Sequence, residues 1–263
     1  MGKITFLGTG TSQGIPMIGC TCPVCKSADS RDNRLRTSAL VEHNGFRILI
    51  DCGPDFRQQM LRENISDLDA VILTHQHKDH TGGLDDIRAF NYFRKEAFPI
   101  YAEPRVQDSL KMEYSYAFAE HKYPGVPDYI LHTIGEEPFT ISKTLPDGSS
   151  VSLTITPIRV YHYKLPILGF RIGDMVYITD GSSIPEEEFA KLAGVDLFII
   201  NTVRHQKHIS HFSLPEALDI IKKVDAKRNY LTHLSHQLGP HAQLEALLPV
   251  NVQPAYDGLK LEY

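Results

Sequence analysis

Residues 74–83 read Thr74-His75-Gln76-His77-Lys78-Asp79-His80-Thr81-Gly82-Gly83, and they follow directly on the apolar run Ala70-Val71-Ile72-Leu73. An apolar run of this length reads as a buried strand, so three imidazoles and a carboxylate arrive together at its carboxyl end. Without a cation these groups would be desolvated and would not satisfy one another. One or two divalent ions turn each neutral imidazole and the carboxylate into a ligand. The stretch therefore predicts a metal site, with its geometry set by the strand before it and the Gly82-Gly83 pair after it.

The 263 residues, 42% of them hydrophobic, suffice for one α/β domain over 1–263 with a sizeable core. A net charge of −5 opposes a strongly basic surface, so a nucleic-acid polymer is the weaker partner. A small anion remains compatible, because a metal site brings its own positive charge. The start, Met1-Gly2-Lys3-Ile4-Thr5-Phe6-Leu7, lacks the apolar core of a signal peptide, and no run approaches membrane-spanning length. The expected location is cytoplasmic, with the cysteines as thiols or thiolates. Oligomeric state is not legible, and a homodimer is the default.

Upstream, Ile4 to Leu7 reads as a strand entering the loop Gly8-Thr9-Gly10-Thr11-Ser12-Gln13-Gly14. Its glycine spacing is not that of a dinucleotide fingerprint, and a substrate-facing turn fits better. Cys20, Cys22 and Cys25 form a C-x-C-x-x-C turn whose three soft ligands favour zinc, with a fourth ligand required from elsewhere. Cys52, at the end of the apolar run Phe46 to Ile50, reads instead as a small buried thiol. Asn44-Gly45 between β-rich runs predicts a hairpin and makes His43 an exposed turn residue. Helices are expected over Asp55 to Arg62, over Gly83 to Arg94 and from Pro104, with a short strand at Pro99 to Tyr101. The aromatic stretch Tyr114 to Tyr129 reads as an irregular insertion, either walling a substrate cleft or packing on the surface.

In the second half, apolar strands again end in candidate ligands. Val151 to Val160 runs to His162, and Met175 to Ile178 runs to Asp180. Val195 to Ile200 precedes a segment holding His205, His208 and His211, and Ser213 is a good N-cap for a helix from Leu214 to Val224. Arg228 to Leu231 leads to His233 and His236, and the tail around Asp257-Gly258 reads as a closing hairpin.

His75, His77, Asp79 and His80 match the H-x-H-x-D-H motif of the metallo-β-lactamase superfamily, and the resemblance extends over nearly the whole chain. It implies an α/β fold, a four-layer αββα sandwich with a dinuclear centre at one edge of two sheets. By this resemblance His75, His77 and His162 hold one metal, Asp79, His80 and His233 hold the other, and Asp180 bridges. Asp51 resembles the carboxylate that orients a ligand histidine. Two divalent ions, zinc or manganese or iron, would polarise the substrate and generate hydroxide near neutral pH.

The cysteine turn together with His236 resembles the PhnP-type phosphodiesterases, which cleave a ribose cyclic phosphate and carry a further zinc bound by three cysteines and a histidine. Cys20, Cys22, Cys25 and His236 would be that structural zinc site. His211, before Phe212-Ser213 and a helix, resembles the extra histidine of phosphodiesterases of this superfamily, tRNase Z included. An imidazole there can stabilise phosphoryl charge or protonate the leaving group, with His208 as its competitor for that role. The expectation is a metal-dependent phosphodiesterase for a small cyclic or nucleotide-like phosphodiester, with His211, Asp79 and Asp180 as its catalytic residues. The alternatives are a tRNase Z-like RNA 3′-end endonuclease, a thioesterase or lactonase on the same fold, and a non-catalytic metal-binding module. No long basic arm of the kind tRNase Z enzymes use is found in the chain.

Overall fold

Ile4 and Phe6 on strand β1 (Gly2–Gly8) face one side while Leu7 faces the other, and both sides are buried. A strand apolar on both faces needs cover on both. The computed structural model, which describes residues 2–145 and 147–263, supplies it with two face-to-face sheets, each backed by helices. The first sheet holds β1, β2 (Ser38–His43), β3 (Phe46–Ile50), β4 (Ala70–Ile72), β5 (Phe98–Ala102) and β6 (Tyr129–Thr133). The second holds β7 (Phe139–Thr144), β8 (Ser150–His162), β9 (Leu165–Ile172), β10 (Met175–Tyr177), β11 (Leu197–Asn201), β12 (Arg228–Thr232) and β13 (Val252–Pro254). Strand β14 (Lys260–Glu262) returns to the first sheet, giving the orders β14-β1-β2-β3-β4-β5-β6 and β13-β12-β11-β10-β9-β8-β7.

Between the sheets Phe6, Val41, Ile48 and Ile72 pack with Phe170, Tyr177 and Ile199. Outside the first sheet lie α1 (Phe56–Arg62), α2 (Lys78–Thr81), α3 (Arg88–Arg94) and α4 (Pro104–Glu113). From these, Met60, Phe90 and Leu110 cover Leu49, Val71 and Ile100. Outside the second lie α5 (Phe189–Leu192), α6 (Leu214–Val224) and α7 (His241–Leu247), and Ala217, Ile221 and Leu244 cover Phe198, Ile200 and Leu231. This is the αββα sandwich that the resemblance implied.

Parallel pairing sets where the site forms. Strands β3 to β6 are parallel, as are β10 to β13, and β8 and β10 share a direction because each is antiparallel to β9. The loops after β3, β4, β8, β10, β11 and β12 thus begin at strand carboxyl ends.

The structure changes several expectations. The tail is not a hairpin: the Asp257-Gly258 turn carries the chain from β13 in one sheet to β14, which pairs with β1 in the other. This crossing brings Tyr263 onto His43, with ring centroids 5.6 Å apart, so His43 ends β2 half-buried rather than exposed in the turn. The Asn44-Gly45 turn does form, with φ of 49° and 81°. The helix expected over Gly83 to Arg94 divides into a 3-10 turn at Leu84–Ile87 followed by α3. The stretch Tyr114 to Tyr129 packs Tyr114, Ala117 and Tyr129 into the core under the first sheet's helices. It supplies no lining to the cavity beside the candidate centre, so the cleft-wall reading gives way to the packed one.

Candidate metal centre

Thr74 and Asp51 begin the site. Asp51 follows β3 with a left-handed φ of 61°, and its carboxylate, fully buried, accepts from the Thr74 amide at 2.9 Å and from His80 Nδ1 at 2.7 Å. His75 Nδ1 donates to Thr74 Oγ1 at 2.9 Å, which leaves the His75 Nε2 lone pair facing inward, 3.0 Å from His77 Nδ1. His162 Nδ1 donates to the carbonyls of Asp180 and Ser210 at 2.9 and 2.7 Å, turning its Nε2 the same way. Such partners fix ring orientation and raise ligand basicity.

Asp180 and His233 also take left-handed φ, 57° and 53°, Asp180 three residues past the end of β10 and His233 directly after β12. For non-glycine residues this conformation costs on the order of 1 kcal/mol or more, and it tends to persist where function demands it. Here the Asp180 carboxylate lies between the imidazoles of His80 and His233. His80 Nε2 lies 3.2 Å from Asp79 Oδ2 and 3.1 Å from Asp180 Oδ2, while His233 Nε2 lies 3.1 Å from Asp180 Oδ1.

Asp79, His80, Asp180 and His233 each offer a ligand atom within 4.8 Å of the others. The rings of His75, His77 and His162 converge alongside more loosely, with centroids 4.6 to 5.8 Å apart. His211 joins His162 and Asp180 in a further 4.8 Å group, its ring 4.6 Å from that of His162 and 4.9 Å from that of His233. His208 stands outside, 5.1 Å from His211, and His205 is turned to the carbonyl of Leu238 at 3.2 Å.

The donor set fits divalent cations. His80 Nε2, His211 Nδ1 and both nitrogens of His233 are buried with no hydrogen-bond partner among the described residues, a costly state that coordination removes. Burial opposes charge on His80, yet Asp180, Asp51 and Asp79 hold its pKa well above the usual value. Burial would also raise Asp180, but His233 and His80 hold it well below the carboxylate range. The Asp180 carboxylate therefore stays ionised and demands positive charge beside it. Burial pushes His211 down to about 3, with His233 adding to the effect, so its ring is neutral here.

A second donor set lies beside the first. Cys20, Cys22 and Cys25 Sγ stand 3.2, 3.4 and 3.6 Å from His236 Nδ1, and all four ligand atoms fall within 4.8 Å. The backbone amide of Cys25 pulls Cys22 down to about 6, whereas burial pushes Cys25 up to about 11. Three thiols and an imidazole suit zinc, which takes its sulfur ligands as thiolates. Cys52 is apart from this set and fully buried.

Sequence reasoning passed over Thr74 as the hinge of the Asp51–His75 relay, and over Asn201, whose amide brackets Gly181 at 2.7 and 3.0 Å just after Asp180. It also missed a cavity of about 240 Å³ between the two donor sets, lined by Thr11, Ser12, Gln13, His208, His211 and Gln237 among others. The polarity of Thr11-Ser12-Gln13 was visible, but not which wall it would form.

Fold and site together define a metal-dependent hydrolase. The family described as the beta-lactamase superfamily domain matches residues 46–234, and the chain belongs to that superfamily. A solved structure described as a new diphosphatase from the PhnP family is 38% identical, with a TM-score of 0.88, covering 100% of this chain and 97% of that one. A protein of Porphyromonas gingivalis named octanoyltransferase is 43% identical over 98% of this chain, which spans 51% of that longer relative. Zinc-bound PqqB from Methylobacterium extorquens shares the fold, with a TM-score of 0.76 at 19% identity over 99% of this chain and 100% of that one. No helix among the described residues is long and apolar enough to cross a membrane.

Proposed function

We propose that this protein is a phosphodiesterase acting on small cyclic or nucleotide-like phosphodiesters. One divalent ion is held by His75, His77 and His162 and the other by Asp79, His80 and His233, with Asp180 between them. Cys20, Cys22, Cys25 and His236 hold a structural zinc. Zinc, manganese or iron suits the first two positions, because mixed nitrogen and oxygen donors do not distinguish them. Cations there supply Lewis acidity toward phosphoryl oxygens and lower the pKa of water.

The observation that carries the reading is His211. It projects from the loop before α6 onto the wall of the 240 Å³ cavity, with Nδ1 3.7 Å from Asp180 Oδ1. An imidazole beside the centre is placed to hydrogen-bond a phosphoryl oxygen and to protonate a departing alkoxide. An anionic phosphoryl group next to the ring counteracts the desolvation that keeps it neutral. Thr11, Ser12, Gln13 and Gln237 then face the ester substituent with neutral hydrogen-bonding groups, which suits a hydroxyl-rich pentose. A polymeric RNA substrate finds little support in a chain of net charge −5.

The test is a matched panel of bis(4-nitrophenyl) phosphate, a γ-lactone and an octanoyl thioester, the last chosen because the name of one relative concerns an octanoyl group. Diester turnover that exceeds both others is the expected result. Efficient thioester or lactone cleavage with no diester turnover would overturn the proposal.

A further inference from the structure

A second cavity, of about 340 Å³, opens across Ser12 from the one that holds His211, and Ser12 lines both. Its other walls are Arg36, Pro54, Lys78, Asp79 and Gly82. Asp79 ties it to the candidate centre, since Asp79 Oδ2 lies 3.2 Å from His80 Nε2. The two cavities differ in charge. The one beside His211 has no lysine or arginine in its lining, whereas this one has one of each.

Both cations are held in place by carboxylates that are not part of the cavity lining. Arg36 Nη1 donates to Asp55 Oδ1 at 2.8 Å and its Nε lies 3.4 Å from the Ser12 carbonyl, leaving Nη2 without a hydrogen bond among the described residues. Lys78 pairs with Glu113, and its side chain is 71% exposed, free to exchange that partner for a ligand. A guanidinium edge, an ammonium and a hydroxyl around one small space form a receptor for a phosphate group.

We propose that Arg36, Lys78 and Ser12 form a second anion subsite, and that the preferred substrate is a diphosphate diester whose second phosphate occupies it. This rests on the phosphodiesterase reading and specifies its substrate. Water oxygen joins the phosphorus at the candidate centre, and the bridging P–O bond breaks. The bridging oxygen leaves with the second phosphate, and the water proton passes to that phosphate or to solvent, giving two monophosphate esters. No oxidant or co-reactant is needed.

The experiment compares metal-loaded wild type with R36K, which keeps charge and the Asp55 pair but loses the fork, and with K78Q at an exposed position. The measured quantity is kcat/KM for bis(4-nitrophenyl) diphosphate divided by kcat/KM for bis(4-nitrophenyl) phosphate. Losing one charge-assisted hydrogen bond lowers this ratio about tenfold in each variant. An unchanged ratio, with both rates falling together or neither falling, would overturn the subsite. Calorimetric binding of methylenediphosphonate, a diphosphate that is not hydrolysed, gives a second readout, with about tenfold weaker binding expected in K78Q. Equal affinity in K78Q and wild type overturns the subsite. If wild type turns over neither ester, it is the phosphodiesterase reading that fails, and the binding comparison alone decides whether the anion subsite exists.

Discussion

Asp51 controls the centre without facing it. Its carboxylate accepts a hydrogen bond from His80 Nδ1 at 2.7 Å and orients Thr74, which orients His75, so one buried residue sets two proposed ligands. Replacing it by asparagine puts an amide where His80 and Thr74 both donate. D51N is expected to lower metal affinity by about 10- to 100-fold in chelator competition, and an unaltered affinity would break the relay argument. His241 offers a pH test away from the ligands. It is buried against Arg34, whose Nη2 lies 3.0 Å from its Nδ1, and desolvation followed by the charges of Arg34 and Arg31 pushes its pKa down to about 4. The unfolded value is about 6.5, so the unfolded chain binds the extra proton between those limits. Stability from this residue is complete above the unfolded value and is lost as pH falls toward the folded one. H241N, which keeps an acceptor for Arg34, should flatten the stability profile over that window in denaturant titrations, with a difference on the order of 2 kcal/mol at its acid end. Parallel profiles would refute it.

At the scale of elements, the H-x-H-x-D-H stretch was legible because its candidate ligands are close in sequence and a strand precedes them. His162, Asp180 and His233 were legible as strand ends, since β8, β10 and β12 show themselves by apolar runs. The left-handed backbone at Asp51, Asp180 and His233 was not, because a residue adopts such a φ under tertiary constraint rather than by its own preference. Strand β7 alternates Phe139, Ile141 and Lys143 with threonine and serine, a pattern present in the sequence that was passed over beside the stronger β8 signal. The true path of the tail was invisible, because pairing of β14 with β1 is a contact between the two ends of the chain. The cysteine turn is the element whose role is simplest to isolate. His236 follows His233 by three residues and leaves β12 toward Cys20, Cys22 and Cys25, so the turn is fastened beside the centre without sharing its ligands. C20S should lose about one zinc by elemental analysis while the other metals are retained, as two separate sites require. Loss of all metal together would mean the sites are one cooperative unit.

Over the whole molecule, the two sheets act as a frame that brings the proposed ligands, from residues 75 to 233, to one edge, and the helices on the outer faces leave that edge open. The αββα arrangement was implied by the resemblance that the H-x-H-x-D-H motif carries, and the layers found here match it. The frame explains a hydrolytic centre. The bond it cleaves is decided by what stands at the rim, and the rim residue that points to a phosphodiester is His211. Its role is tested most directly by comparing H211A with wild type on two phosphodiesters that differ only in leaving group, one a 4-nitrophenolate and one an alkoxide. An alkoxide needs a proton to depart and a nitrophenolate does not. H211A is expected to lose about 10²- to 10⁴-fold on the alkoxide ester and far less on the nitrophenyl ester. An equal loss on both, or none on either, would contradict that role.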